Sequence, residues 1–231
     1  CAAGRRCHPR SPNCVVYPRR RHPTADPATL ERGYPGGWRL AIIEPGNREG
    51  LTMQVTLKPR SAITPAEMEE LYALDDAVYP HGGLGGPPGM ERVVWADPEW
   101  DIVVRDASGL AVSHAGILER NALLDGQPLR IAGIAEVLTH PAHQRRGYGA
   151  AALGRAAEFM RDELRSPFAF LVCPEEAIPF YTRVGWQPFT GVVVTEFDGE
   201  RQPFPYGPAM VLPLQTAAPV SGLLDLQGIP W

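Results

Sequence analysis

The most constraining feature of the sequence is one continuous stretch, residues 134–164, in which a strand pattern changes to a helical pattern across a glycine turn. Residues 134–139 are apolar or β-branched except for Glu136, and Pro141 ends the run. From Gly147 onward the stretch is rich in alanine, the strongest helix former. It therefore predicts a strand, a tight turn and a helix in direct succession, with the rest of the domain arranged around them.

The turn between this strand and helix has the spacing Gln-x-x-Gly-x-Gly, which differs from both the dinucleotide fingerprint and the Walker loop. Its glycines allow positive φ and close approach of the backbone, and consecutive N–H groups at a helix N-terminus favour a phosphate. A helix start that merely contains two glycines is the structural alternative. The predicted anion-binding loop consists of Gln144, Arg145, Arg146, Gly147, Tyr148, Gly149 and Ala150.

This loop resembles the signature of the GCN-related N-acetyltransferases, the GNAT superfamily. A second segment, residues 180–186, is similar to the family's aromatic-Tyr-x-x-x-Gly-aromatic signature and follows in the right order. Over residues 53–231 the resemblance implies an α/β fold: a mixed, mostly antiparallel sheet flanked by helices and splayed at the acetyl-CoA site. It implies acetyl-CoA as co-substrate, with the pyrophosphate on the loop and the pantetheine arm paired to the backbone of Val137, Leu138 and Thr139.

The reaction that the resemblance implies is direct attack of an amine on the thioester, which requires a base, an oxyanion donor and an acid. Glu136 is the candidate base, directly or through a water, because it is the only ionisable group in an apolar strand where burial would raise its pKa. A structurally paired carboxylate is the alternative. Tyr181 stands where many family members place the tyrosine that protonates the leaving thiolate; an aromatic side chain packed on the sheet is its alternative. A backbone N–H near Leu138 is the expected oxyanion donor.

The charge of the domain favours a cationic acceptor. Nine of the 22 Lys and Arg residues and four of the 26 Asp and Glu residues precede Met53, so the remaining chain carries 13 basic against 22 acidic residues, or −9 with His neutral. Such a surface attracts amines and disfavours nucleic acid. Asp75 and Asp76 lie near the end of a helix predicted from the capping box at Thr64, and they are candidate substrate-binding residues. The Gly- and Pro-rich residues 79–89 either gate the acceptor or only connect two elements.

The last residues resemble the aminoglycoside 2′-N-acetyltransferases within the superfamily, which place the carboxylate of a C-terminal tryptophan at the acceptor site. The resemblance implies that Trp231 helps to hold or deprotonate an ammonium group. Two positions depart from that subgroup: its fourth-strand glutamate falls where this chain has Ala135, and its acidic residue near the terminal tryptophan is Ile229 here. A one-residue step in a strand reverses the face. The acceptor is therefore expected to be a cationic small molecule, of which an aminoglycoside is one example.

The remaining segments predict a local, simple sheet. Strand patterns cover residues 53–58, 101–105, 110–124 and 129–139, with Asp125-Gly126 as a hairpin turn. His114 is interpreted as a packed or hydrogen-bonded strand residue. Residues 168–173 predict a buried parallel strand in which Cys173 is a small core residue, and 177–184 a helix that ends at Gly185. Residues 192–196 and 209–214 are expected to complete the sheet as a hairpin-like pair.

Residues 1–52 are rich in arginine and proline and have little periodicity, so we expect a disordered extension or a non-native upstream segment, with Met53 as the natural start. A basic nucleic-acid arm is the alternative. No run of eighteen apolar residues predicts a membrane span, no Cys-x-x-Cys pair predicts a metal site, and a reducing cytoplasm is the default for a chain of this kind. The oligomeric state cannot be read from the sequence, and a homodimer stays open. A catalytically degenerate acetyl-CoA-binding module that senses or scaffolds is the alternative function.

Overall fold

The computed structural model describes residues 52–79, 93–197, 199–204 and 207–231, all within one compact unit. The predicted N-terminal extension, apart from its last residue, lies outside the described residues. So does almost all of the Gly- and Pro-rich segment that follows the first helix. Both expectations therefore stay predictions.

Within these described residues, a ten-stranded mixed sheet forms the centre of the unit, with three α-helices packed around it. The strands are β1 (Gln54–Pro59), β2 (Trp100–Arg105), β3 (Ala111–Leu124), β4 (Gln127–Thr139), β5 (Phe168–Val172), β6 (Gln187–Phe189), β7 (Val192–Phe197), β8 (Glu200–Pro203), β9 (Ala209–Pro213) and β10 (Leu223–Asp225). The helices are α1 (Pro65–Val78), α2 (Tyr148–Asp162) and α3 (Ile178–Arg183), and short 3-10 segments cover Arg60–Ala62, Pro141–His143 and Glu175–Ala177.

The strand order is β6-β9-β5-β4-β3-β10-β7-β8, with β2 beside the first half of β3 and β1 beside β2. Most neighbours are antiparallel, whereas β4 and β5 are parallel, as are β7 and β10. The predicted α/β fold with a mixed, mostly antiparallel sheet is confirmed. None of the described helices is long and apolar enough to span a membrane.

Local sequence signals account for the boundaries of the main elements. Thr64 caps α1 with both halves of the predicted capping box, since its hydroxyl accepts from the Glu67 N–H and the Glu67 carboxylate accepts from the Thr64 N–H. The β3–β4 hairpin turns at Asp125 and Gly126, whose φ angles of 49° and 79° fit the mirror-image turns that such pairs favour. Gly185, at φ 97°, follows α3 as expected.

The predicted pairing of the two late strands is wrong. β7 pairs antiparallel with β8 and parallel with β10, whereas β9 lies between β5 and β6. The register joins Phe197 to Glu200, so the chain reverses immediately after β7 rather than through a long connection. A short turn commits β7 to the nearest following strand, which leaves β9 to extend the other side of the sheet.

The helices lie on opposite faces of the sheet. Alternate residues of β2 point to opposite sides, and Ile102 and Val104 pack in the core beneath α2, whereas Val103 packs with Leu71 of α1. A further core lies on the α1 face around Ile131, because β4 alternates in the same way. The two faces therefore carry separate apolar layers, and the sheet between them is buried on both sides.

The sheet splays between β4 and β5. Their parallel pairing is limited to Ala132 with Ala169 and Gly133 with Phe170. β4 runs on to Thr139 along β3, and in the part of the chain that the structure describes its last residues have no β5 partner. The free edge of β4 is therefore available to another extended chain.

Candidate active site

A β-bulge lies in the middle of the site. The β3–β4 register runs from His114 opposite Leu138 to Gly116 opposite Ala135, so β4 contains one residue more than β3 over this interval. Glu136 lies in the bulge with φ at 50°, in the left-handed region that non-glycine residues rarely adopt. The bulge changes the alternation of side chains along β4 at the candidate base.

The bulge turns the Glu136 side chain toward the α1 face. Ile134 and Val137 pack with the core beneath α2, whereas Ala135 packs in the core on the other face. Strict alternation would place Glu136 beside Ile134, in an apolar layer. Its carboxylate is instead 40% exposed and bound to Arg60, so the expectation that this group is buried is wrong. The base role itself stays a prediction.

Arg60 links Glu136 to a second carboxylate. Its Nη2 donates to Glu136 Oε2 and to Asp101 Oδ1, each at 2.7 Å, while its Nε donates to Asp101 Oδ2, also at 2.7 Å. Asp101 is fully buried, and its carboxylate forms a bidentate ion pair with the Arg60 guanidinium, which balances its charge. Although burial opposes the charge on Arg60, Glu136 and Asp101 outweigh it and raise its pKa.

His114 completes this group. The ring is 1% exposed, its Nε2 lies 2.8 Å from Asp101 Oδ1, and its Nδ1 lies 2.9 Å from the carbonyl oxygen of Glu136. The interpretation of His114 as a hydrogen-bonded strand residue is confirmed. Its contact with Glu136 was not predicted, because it depends on the bulge and on the strand register.

The same group contains the donor atoms that a metal would need. Among the described residues, one oxygen or nitrogen from each of Asp101, His114 and Glu136 lie within 4.8 Å of one another. Arg60, however, donates to both carboxylates from a single nitrogen. A cation between them would be repelled by the guanidinium. We therefore interpret the group as an ion-pair network.

Asp75 faces this network from α1, whereas Asp76 is exposed. Burial raises the pKa of Asp75 to about 6, with further contributions from the negative charges of Glu136 and Asp76 and an opposing one from His114. Asp75 therefore shares an electrostatic environment with the candidate base. Of the two predicted acceptor-binding residues, the structure brings Asp75 to the site and leaves Asp76 toward solvent.

The glycine loop has the geometry expected of an anion cradle. Arg145 and Gly147 adopt φ of 63° and 92°, and Gly147 caps α2, whose first hydrogen bond runs from the Ala151 N–H to the Gly147 carbonyl at 2.9 Å. The N–H groups of Tyr148, Gly149 and Ala150 precede that bond and so have no partner within the helix. The Tyr148 side chain is buried in the core, so only its backbone faces the loop.

The loop is fixed to the end of β4. Gln144 Nε2 donates to the Thr139 carbonyl at 3.4 Å, and a Cβ on Gly149 would lie 3.0 Å from Thr139 Oγ1. Ser113 Oγ donates to the Leu138 carbonyl at 2.7 Å. These contacts place the predicted pyrophosphate loop directly beyond the free edge of β4, where the predicted pantetheine-binding residues Val137, Leu138 and Thr139 lie.

Tyr181 lies on α3 and is 7% exposed, in contact with the rings of Phe180 and Trp186 at 5.2 and 6.1 Å between centroids. Burial, with smaller contributions from Cys173 and Tyr79, raises the pKa of the phenol well above its usual range. The phenol therefore holds its proton at neutral pH. Cys173 is a buried core residue, as predicted, and burial together with Glu176 raises its pKa to about 11.

Trp231 is enclosed in the core on the α1 face. Its Nε1 donates to the Phe170 carbonyl at 3.2 Å, and Arg120 stacks 4.9 Å from the ring centroid. A Cβ on Gly133 would lie 2.2 Å from Nε1, so only glycine admits the indole there. The indole is thus a packing element, and an acceptor could meet this residue only through its main chain.

Comparison with known proteins agrees with this geometry. A family model described as an acetyltransferase (GNAT) domain matches residues 60–189, more than half of the chain. No curated protein sequence matches it significantly. Among solved structures, the chain is similar to the GNAT family N-acetyltransferase YhbS from Escherichia coli in complex with CoA, with 13% identity and a TM-score of 0.50 over 78% of this chain and 93% of that chain.

Two further solved structures were found with lower TM-scores. ElaA from Escherichia coli is 17% identical with a TM-score of 0.48, over 70% of this chain and 99% of that chain. A GNAT family acetyltransferase from Brucella melitensis, in complex with acetyl-CoA, is 14% identical with a TM-score of 0.42, over 58% and 83%. The family match, the splayed sheet and the glycine loop together establish that this chain belongs to the GNAT family of N-acetyltransferases.

Proposed function

We propose that this chain transfers the acetyl group of acetyl-CoA directly to a primary amine of a cationic small molecule. The pyrophosphate would bind the N–H groups of the loop 144–150, and the pantetheine arm would pair with the free edge of β4 at Val137–Thr139. Support comes from the αL cap at Gly147 and from the limited pairing of β4 with β5. In this proposal the acceptor would approach from the α1 face, toward which the Glu136 side chain turns.

One observation carries the choice of acceptor. Burial and the nearby charge of Glu136 raise the pKa of Asp75, in a site that also holds the buried Asp101. In the described part of the chain, Arg60 is the guanidinium that binds both Glu136 and Asp101. An acceptor ammonium group would relieve their mutual repulsion, so binding should favour cations. Asp76 would add to this field from the rim.

In this proposal Glu136 accepts a proton from the ammonium, directly or through a water. Its carboxylate is exposed enough to reach a ligand while Arg60 fixes its position. Tyr181 supplies the proton for the departing thiolate, which requires a phenol that remains protonated, as burial ensures. A backbone N–H near Leu138 would stabilise the oxyanion. The indole of Trp231 is enclosed and takes no part in this step.

The test is an amine screen on the full chain. Free thiol would be measured with acetyl-CoA and three sets of primary amines: polycationic ones including polyamines and aminoglycosides, neutral ones, and anionic ones. We expect thiol release with cationic amines, and a higher KM for the amine in Asp75→Asn with the KM for acetyl-CoA unchanged. Release with neutral or anionic amines alone would contradict the choice of acceptor. Binding of acetyl-CoA without thiol release from any amine would favour a sensing or scaffolding module.

A further inference from the structure

Four residues form a closed ring of hydrogen bonds around the bulge. Starting from Asp101, the ring passes through His114 to the backbone carbonyl of Glu136, then through the Glu136 carboxylate to Arg60, and back to Asp101. Every link is between 2.7 and 2.9 Å. Glu136 is therefore held at two points, its carbonyl by His114 and its carboxylate by Arg60, and both holders bind the same buried aspartate.

The bulge needs such support. Within the fully described strands β3 and β4, Glu136 has no partner in the ladder register, and its φ of 50° is strained for a residue with a side chain. The His114 ring bonds its carbonyl from the facing strand. Without that bond, the carbonyl loses a partner and β4 can return to regular alternation, which would turn the carboxylate away from Arg60.

The geometry also fixes one hydrogen of the ring. The Glu136 carbonyl can only accept, so Nδ1 must carry a hydrogen and donate it. On its other side, Nε2 faces Asp101 Oδ1, and both oxygens of that carboxylate also accept from Arg60. His114 therefore bridges the Glu136 carbonyl and the Asp101 carboxylate.

We infer that His114 is a positioning residue for acetyl transfer: anchored on Asp101 through Nε2, it donates from Nδ1 to the Glu136 carbonyl, holds the β4 bulge and thereby aims Glu136 at the acceptor. The inference rests on the proposed role of Glu136. The charged groups that face the ring are Asp101 from β2, Glu136 from β4, Arg60 after β1, and Asp75 from α1.

The first test does not depend on activity. A long-range proton–nitrogen NMR spectrum of the labelled full chain reports which imidazole nitrogens carry hydrogen, and the signal of His114 is assigned by its absence in His114→Asn. We expect Nδ1 to carry a hydrogen, as donation to the Glu136 carbonyl requires. A neutral ring with its hydrogen on Nε2 alone would overturn the inference, even if His114→Ala failed to fold.

The second test compares variants in the amine assay. His114→Ala should lower kcat about a hundredfold through loss of alignment, while the thermal stabilisation by acetyl-CoA persists. His114→Asn, whose amide can donate from the position of Nδ1, should recover most of kcat. The control is Val104→Ala, which opens a cavity in the fully buried core on the opposite face and should lower Tm without lowering kcat.

The two tests separate the failure modes. Unchanged kcat in His114→Ala, or an equal loss in Val104→Ala, would show that His114 does not position Glu136. A wild-type chain that binds acetyl-CoA but acetylates no amine would defeat the proposed function, whereas the NMR result would still decide whether the ring of hydrogen bonds exists as described.

Discussion

The guanidinium of Arg60 donates a hydrogen bond to the carboxylate of Glu136 at 2.7 Å, across 76 residues of sequence. The contact joins the segment after the first strand to the bulge of a central strand. Because Arg60 also binds the buried Asp101, the position of the candidate base depends on the integrity of the whole sheet edge. The stability of this part of the sheet and the position of the candidate base are therefore coupled.

Removing the Arg60 guanidinium should destabilise the fold strongly. Arg60→Met removes the guanidinium that binds both oxygens of the fully buried Asp101, and we expect the free energy of unfolding in urea to fall by about 3 kcal/mol. Arg105→Met is the matched control, since Arg105 pairs with Glu70, whose side chain is 47% exposed, and its loss should be under about 1 kcal/mol. Equal losses of stability from the two substitutions would contradict the conclusion that the Arg60–Asp101 pair stabilises the fold more than an exposed ion pair.

Two glycines of the same helix region should respond oppositely to alanine. A Cβ added at Gly147 would meet no other atom within 4 Å, but this residue has a φ of 92°. A Cβ added at the exposed Gly154 of α2 would also meet no atom within 4 Å, and Gly154 does not have a positive φ. Gly147→Ala should lose about 1–2 kcal/mol of stability to backbone strain and weaken the thermal stabilisation by acetyl-CoA. Gly154→Ala should gain about 0.5–1 kcal/mol with the acetyl-CoA effect intact. If both variants kept the full ligand effect, the loop would not be the pyrophosphate site.

Asp75 should make stability depend on pH. Its pKa is raised from 3.8 to about 6, so between these values the folded state holds more protons than the unfolded state, and stability falls as pH rises through this window. Asp75→Asn should therefore stabilise the chain above the window, by about 1 kcal/mol after allowance for solvent screening, and the gain should shrink toward about pH 4. Thermal unfolding at several pH values measures it, with exposed Asp76→Asn as control. A stability gain in Asp75→Asn that grows as pH falls would contradict a raised pKa of Asp75.

Tyr181→Phe should separate catalysis from binding. The substitution removes only the buried hydroxyl, so acetyl-CoA should stabilise the variant as it does the wild type, whereas kcat for acetyl transfer should fall about a hundredfold through loss of the acid. Tyr72→Phe, at a tyrosine 59% exposed on α1, is the control and should leave kcat unchanged. A wild-type kcat in Tyr181→Phe would contradict the acid role and show that Tyr181 is only a packed aromatic residue.

Local signals in the sequence predicted most of the fold. Capping at Thr64, the Asp125-Gly126 turn and the glycines around the α2 N-terminus each restrict the backbone by short-range physics, and each element follows as expected. The predicted pairing of β7 with β9 was wrong because strand pairing is a competition among distant segments. The register that joins Phe197 to Glu200 shows that β7 pairs with β8, the nearest following strand.

The site was only partly predictable for the same reason. The glycine loop is contiguous in sequence, so its residues could be identified from the sequence. Arg60, Asp101 and His114 come from three separate segments, and only the strand register brings them together. The bulge is a single extra residue that no propensity marks, yet it moves Glu136 from an apolar layer to the α1 face. The available signal was a histidine, His114, in the middle of β3 and an aspartate, Asp101, in the neighbouring strand β2, whose side chains point to the same face of the sheet.

The central claim is that Glu136 accepts the proton of an attacking amine while acetyl-CoA is bound. The most direct measurement is the single-turnover rate of acetyl transfer in Glu136→Gln beside the wild type, with the acetylated amine identified by mass spectrometry. The glutamine can still accept from Arg60, so the account predicts a near-normal Tm, normal stabilisation by acetyl-CoA, and a rate reduced about a hundredfold or more. A wild-type rate with the same pH dependence in Glu136→Gln would contradict it.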